Sequence, residues 1–151
     1  MSLMTASSEV SRWRGYEYFK AKRVSSVQKI GNARYSALVS GSENAPYSVT
    51  IDLDHVRQSS CTCPHAAGRR VICKHMIAAF FTVFPEEATQ YYADVLKAEE
   101  DWEDYREELA EKLVKFVRGL KKKEAQELLL ELLDTGPEWQ WDRFVREHIE
   151  S

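Results

Sequence analysis

The sequence predicts an α+β fold: a small three-stranded antiparallel sheet, a finger of cysteine and histidine that leads into a helix, and an α-helical C-terminal region. Three observations predict it. Residues 24–54 alternate between polar and apolar with the period of a half-buried strand. From Ile77 onward apolar residues recur at helical spacing. All three cysteines of the 151-residue chain fall between positions 61 and 73. A chain of this length buries roughly two thirds of its unfolded surface, enough for one core or two small ones.

Met1-Ser2-Leu3 ahead of Met4 reads as an added leader. Residues 1–11 are therefore expected as a tag or flexible N-terminus, 12–85 as the finger domain and 86–151 as an acidic helical region. Trp13, Tyr16, Phe19 and Lys20 predict a short amphipathic helix over residues 11–22 with its aromatic side under the sheet. Val24 to Ile30 reads as a strand, Gly31-Asn32 as a two-residue hairpin turn, and Tyr35, Ala37 and Val39 as the inner face of the next strand. Gly41 to Pro46 is a polar loop. In the third strand Tyr47, Val49, Ile51 and Leu53 face one way, and Ser48, Thr50, Asp52 and Asp54 the other.

Ile77, Ala78, Phe80, Phe81 and Phe84 predict a helix that Pro85 stops. A helix over 86–98 is expected next, then a second marked by the stripe Trp102, Tyr105, Leu109, Leu113, Phe116, Val117 and Leu120, with a break near Gly119. Leu128 to Leu133 mark a further helix, ended by Asp134-Thr135-Gly136-Pro137, and Pro137 suits the first turn of the last one. These stripes read as helix-packing surface. A tail this short is small for an independent domain, so it is expected to dock on the finger or on a partner.

Cys61, Cys63, Cys73 and His75 spell C-x-C, nine intervening residues, then C-x-H. Four soft donors and no fifth describe a closed metal site. In an extended segment residues i and i+2 point to the same side, so Cys61 and Cys63 can present both sulfurs to one ion before Pro64 ends the segment. On a helix the same spacing turns the two side chains about 200° apart. Cys73 and His75 can share the ion only if Cys73 precedes the helix and His75 lies in its first turn, where free amides and the helix dipole help keep the thiol deprotonated. Three thiolates and an imidazole leave the site at −1, which Arg69, Arg70 and Lys74 partly offset. His65 could in principle replace His75, and His55 lies six residues before Cys61. Both, with His148, are read as solvated loop or helix histidines.

The residues Cys61-Thr62-Cys63-Pro64 and Cys73-Lys74-His75-Met76-Ile77-Ala78-Ala79, led in by Tyr47-Ser48-Val49-Thr50-Ile51, resemble the SWIM zinc finger, here of the bacterial type. The family occurs in bacterial proteins linked to SWI2/SNF2 ATPases, in plant MuDR transposases and in some signalling kinases. The resemblance spans residues 12–85. It implies a bound Zn2+ on Cys61, Cys63, Cys73 and His75, and a role in binding DNA or protein.

Charge divides the chain. Residues 1–85 carry eleven Lys and Arg against five Asp and Glu, and residues 86–151 carry ten against nineteen. A basic half suggests an acidic polymer, although the two halves could instead attract one another. Arg69, Arg70 and Lys74, with Lys22 and Arg23, are the candidate nucleic-acid-binding residues, and DNA is favoured over RNA. The alternative is an adaptor that docks on a SWI2/SNF2-type ATPase or another DNA-processing protein without touching nucleic acid. No catalytic residues, no enzymatic activity and no small-molecule substrate are expected, because four ligands leave zinc no open position. No apolar run is long enough to span a membrane, and cysteines at metal spacing suit a reducing compartment, here the cytoplasm.

Overall fold

The computed structural model describes residues 2–150 and confirms the α+β class. The chain forms two compact units, Met1–Leu96 and Lys97–Ser151.

In the first unit, β1 (Val24–Lys29), β2 (Arg34–Val39), β3 (Tyr47–Asp52) and β4 (Ser60–Cys61) form one antiparallel sheet in that order. The sheet therefore has four strands and not three. The extra one is two residues long, too short to show alternation. The β1–β2 turn is also one residue longer than expected, since the Ile30 amide donates to the Arg34 carbonyl across Gly31, Asn32 and Ala33. The register shifts within β1, where Ser26 takes φ +51°, as a bulge does. Tyr47, Val49 and Ile51 are buried as the alternation requires.

Helix α1 (Leu3–Ala6) and helix α2 (Glu9–Lys20) precede the sheet. The expectation of a flexible start is corrected here. Leu3 is 1% exposed in the core, Ser7 bridges to Ile72, and the Arg12 guanidinium donates to the Met4 and Ser7 carbonyls at 3.0 and 2.8 Å. Ser8 caps α2 by accepting from the Ser11 amide.

Helix α3 (Lys74–Val83) packs on the sheet and also against α2, so the aromatic side of α2 meets α3 where the sequence predicts the sheet. Tyr16 stacks on Tyr92 with centroids 5.1 Å apart and meets Phe81 edge-on at 6.1 Å. Buried Met76, Ile77 and Phe81 complete this core.

Helix α4 runs unbroken from Pro85 to Gly119, where the sequence predicts two helices. The apolar period lapses between Leu96 and Trp102, but no glycine or proline lies inside that stretch to end the helix. In the second unit, α5 (Lys122–Thr135) and α6 (Glu138–His148) pack on one another around Leu133. Glu124 accepts from the Lys121 amide at the start of α5, and Pro137 stands at the N-cap position of α6, one residue before the first turn. No helix among the described residues is long and apolar enough to cross a membrane.

Candidate metal centre and the basic surface beside it

Each of the four predicted ligands is placed by a different piece of local structure. Cys61 pairs with Val49 across the edge of the sheet and shares its buried face. Thr62 fastens that edge, donating its amide to the Ser48 carbonyl and accepting the Ser48 amide on its hydroxyl. Cys63 follows two residues on, and its amide donates to the Cys61 sulfur at 3.4 Å. After Pro64 the chain turns tightly, with the Ala66 and Ala67 amides on the Cys63 carbonyl, and Gly68 takes φ +70°, a conformation that glycine adopts at no steric cost. Cys73 is the N-cap of α3 and His75 lies in its first turn, the arrangement that C-x-H spacing requires.

The donor atoms of Cys61, Cys63, Cys73 and His75 all lie within 4.8 Å of one another, and all four residues are buried. His75 Nδ1 is 3.7 Å from the Cys61 sulfur and 4.0 Å from the Cys73 sulfur. Zinc–sulfur bonds of about 2.3 Å and zinc–nitrogen bonds of about 2.0 Å set tetrahedral edges near 3.5–3.8 Å, so the two histidine–sulfur distances come within about half an ångström of those edges. The other ring nitrogen, Nε2, is buried without a hydrogen-bond partner among the described residues. With Nδ1 on the metal, Nε2 carries the proton, and the ring is flanked by Tyr47 and Tyr18 at centroid distances of 4.7 and 5.3 Å.

The sulfurs differ. The Cys61 side chain beside it holds the Cys73 thiol down to about 4 against the opposing effect of burial, helped by the His75 ring and the amides of Met76 and His75. The same contact, with burial, pushes the Cys61 thiol far up.

A loop of acid and base holds the approach to Cys61. Asp52 is 3% exposed, accepts the His55 amide at 2.7 Å and pairs with the Arg34 guanidinium at 3.3 Å. Its own amide donates to Ser59. His55 thus belongs to this turn and not to the metal cluster. His65 is exposed and lines a cavity of about 300 Å³ beside the ligands, together with Ser8, Ser11, Arg14 and Lys74.

The five basic residues singled out in the sequence separate into two groups. Lys74 and Arg23 converge on one ring, with Lys74 Nζ 4.6 Å and Arg23 Cζ 4.8 Å from the centroid of Tyr18. Lys22, at φ +52°, is exposed next to Arg23. Arg69 and Arg70 lie on the exposed finger loop, and Arg70 borders a different hollow with Thr5 and Arg57. Sequence reading misses Arg14, and finds Tyr18 only as one of the aromatic residues Trp13, Tyr16, Tyr18 and Phe19 interleaved with the basic ones and expected to be mostly buried. The i,i+4 spacing of Arg14 and Tyr18 on α2, which places both on the side of the helix nearest the metal cluster, is the signal that could have found them.

No curated protein and no solved structure matched the chain. Residues 47–84 match the family model of the SWIM zinc finger, and Cys61, Cys63, Cys73 and His75, the clustered group that could hold a metal ion, all lie within the matched segment.

Proposed function

We propose that the chain is a structural zinc module that binds nucleic acid, DNA in preference to RNA, as an accessory of a DNA-processing complex. Three thiolates and one imidazole suit zinc among the divalent ions, and they would fill its tetrahedral shell. A filled shell holds no water to activate, so the ion would serve the fold and the chain would not act as an enzyme. Metal content of the purified protein tests the ion.

The observation that carries nucleic-acid binding is the convergence of Arg23 and Lys74 on Tyr18, next to Arg14. None of Arg14, Lys22, Arg23, Arg69, Arg70 and Lys74 forms an ion pair among the described residues. Cations left without carboxylates beside an aromatic ring suit phosphates and stacked bases. DNA is favoured because SWIM fingers are attached to DNA-processing enzymes.

Fluorescence anisotropy with single- and double-stranded DNA and RNA tests the reading. Affinity should fall steeply with salt, and Arg14→Glu with Arg23→Glu should weaken it about tenfold or more, as expected for the loss and reversal of two phosphate contacts. Absence of binding at low salt rejects the reading.

A further inference from the structure

We propose that the C-terminal half of α4 pairs with the same helix of a second copy of this chain, antiparallel, about a two-fold axis level with Glu111. Trp102, Tyr105, Leu109, Leu113 and Phe116 follow one another in steps of three and four, so they form a single stripe along the helix. All are more than half exposed, from 51% at Leu109 to 61% at Leu113. A contiguous apolar stripe of this length on a charged helix marks a surface that another protein covers.

Two features of the same segment select a second, antiparallel copy. The first is charge. Residues 99–111 carry eight acidic side chains and one basic, whereas residues 112–123 carry six basic and none acidic. Parallel helices would set acid on acid and base on base; antiparallel helices set each block on its opposite. The second is the symmetry of the stripe. Trp102 and Leu120 lie equally far in sequence on either side of Glu111, as do Tyr105 and Val117, and Leu109 and Leu113. An antiparallel pair centred there sets these three pairs apolar on apolar, as an isologous interface requires, with Leu120 just past the end of α4 and Phe116 opposite the aliphatic stem of Arg106. Glu111 itself, two residues from Leu109, falls on the opposite side of the helix, so the axis does not bring two carboxylates together. Flanking the stripe, Glu108 would face Lys115 of the other copy, and Asp101 would face Lys121, two residues beyond the end of α4. Neither lysine has an ion-pair partner among the described residues.

Sedimentation of the full chain at micromolar concentrations should show a dimer that Leu109→Asp with Leu113→Asp dissolves. Asp101→Lys with Glu108→Lys should weaken the dimer about tenfold or more, because four exposed contacts are reversed at once, and so should Lys115→Glu with Lys121→Glu. Mixing these two charge variants should restore association, since each then meets its complement. A chain that stays monomeric overturns the proposal and leaves the stripe to a different protein. A larger assembly, a dimer indifferent to the aspartates, or a mixture that fails to recover overturns it as well.

Discussion

Gly15 of α2 lies so close to Ile77 of α3 that a β-carbon there would meet Ile77 Cγ2 at 2.5 Å and the Lys74 carbonyl at 2.9 Å. This contact sets how near α2 comes to the helix that carries Cys73 and His75 at its start. Gly15→Ala should gain up to about 1 kcal/mol of helix propensity. The overpacking should cost about 1–3 kcal/mol because backbone and a β-branched side chain stand in the way. Net destabilisation is therefore expected in denaturant unfolding, and Ile77→Ala in the same chain should offset part of the added cost. A more stable Gly15→Ala protein would refute the close approach.

Asp52 and Arg34 share an ion pair unequally, since the carboxylate is buried and the guanidinium half exposed. Asp52→Ala would leave the His55 amide unpaired in the turn before Cys61 and should lower stability by about 1–3 kcal/mol. Arg34→Ala should cost less than about 1 kcal/mol. Equal losses in thermal unfolding of the two variants would show that the pair, and not the turn, is what matters.

Among the described residues His75 has no carboxylate or carbonyl to receive its outer N–H, the partner that usually orients a metal-bound imidazole. Packing between Tyr47 and Tyr18 takes that place, and an N–H facing aromatic rings gains a weak contact at best. Tyr47→Ala should weaken zinc binding about tenfold in competition with a chromophoric chelator, as expected for loss of an outer-shell support. Tyr47→Phe should leave it nearly unchanged. The reverse order would assign the support to the phenol oxygen.

The metal cluster was legible in the sequence because ligand chemistry resides in residue type, and C-x-C and C-x-H spacing constrain backbone shape. The SWIM match over residues 47–84 agrees with that reading. Strand β4 was not legible, since Ser60 and Cys61 are placed by pairing with Thr50 and Val49, ten and twelve residues away in sequence. Leu3 was lost for the same reason: its burial comes from tertiary packing, and a single leucine shows no period. The continuity of α4 was hidden because Glu99 to Asp101 interrupt the apolar period without interrupting the hydrogen bonds. Tyr18 reads as one more aromatic of a core helix until Arg23 and Lys74 are seen on its ring.

Acid should unload the metal site, and the sign follows from the two sulfurs. The Cys73 thiol is depressed from an ordinary value of 9.0 to about 4, so its ionised form contributes stability that is complete above 9.0 and is lost as pH falls toward 4. The Cys61 thiol is raised, so its contribution is complete below 9.0 and is lost only as pH climbs beyond that. Acidification from neutral pH therefore draws down the Cys73 contribution alone, while protons also compete with the ion for every sulfur. Zinc retained after dialysis should fall below pH 7, with a midpoint above the value of about 4 at which Cys73 itself accepts a proton. Far-ultraviolet circular dichroism should report the loss of α3 and the sheet edge in step with the metal, because Cys61 ties β4 and Cys73 caps the helix. In Cys73→Ser the site should be empty already at neutral pH. Full occupancy below pH 4, or a fold unchanged after the ion has gone, would show that the sulfurs do not hold this domain together.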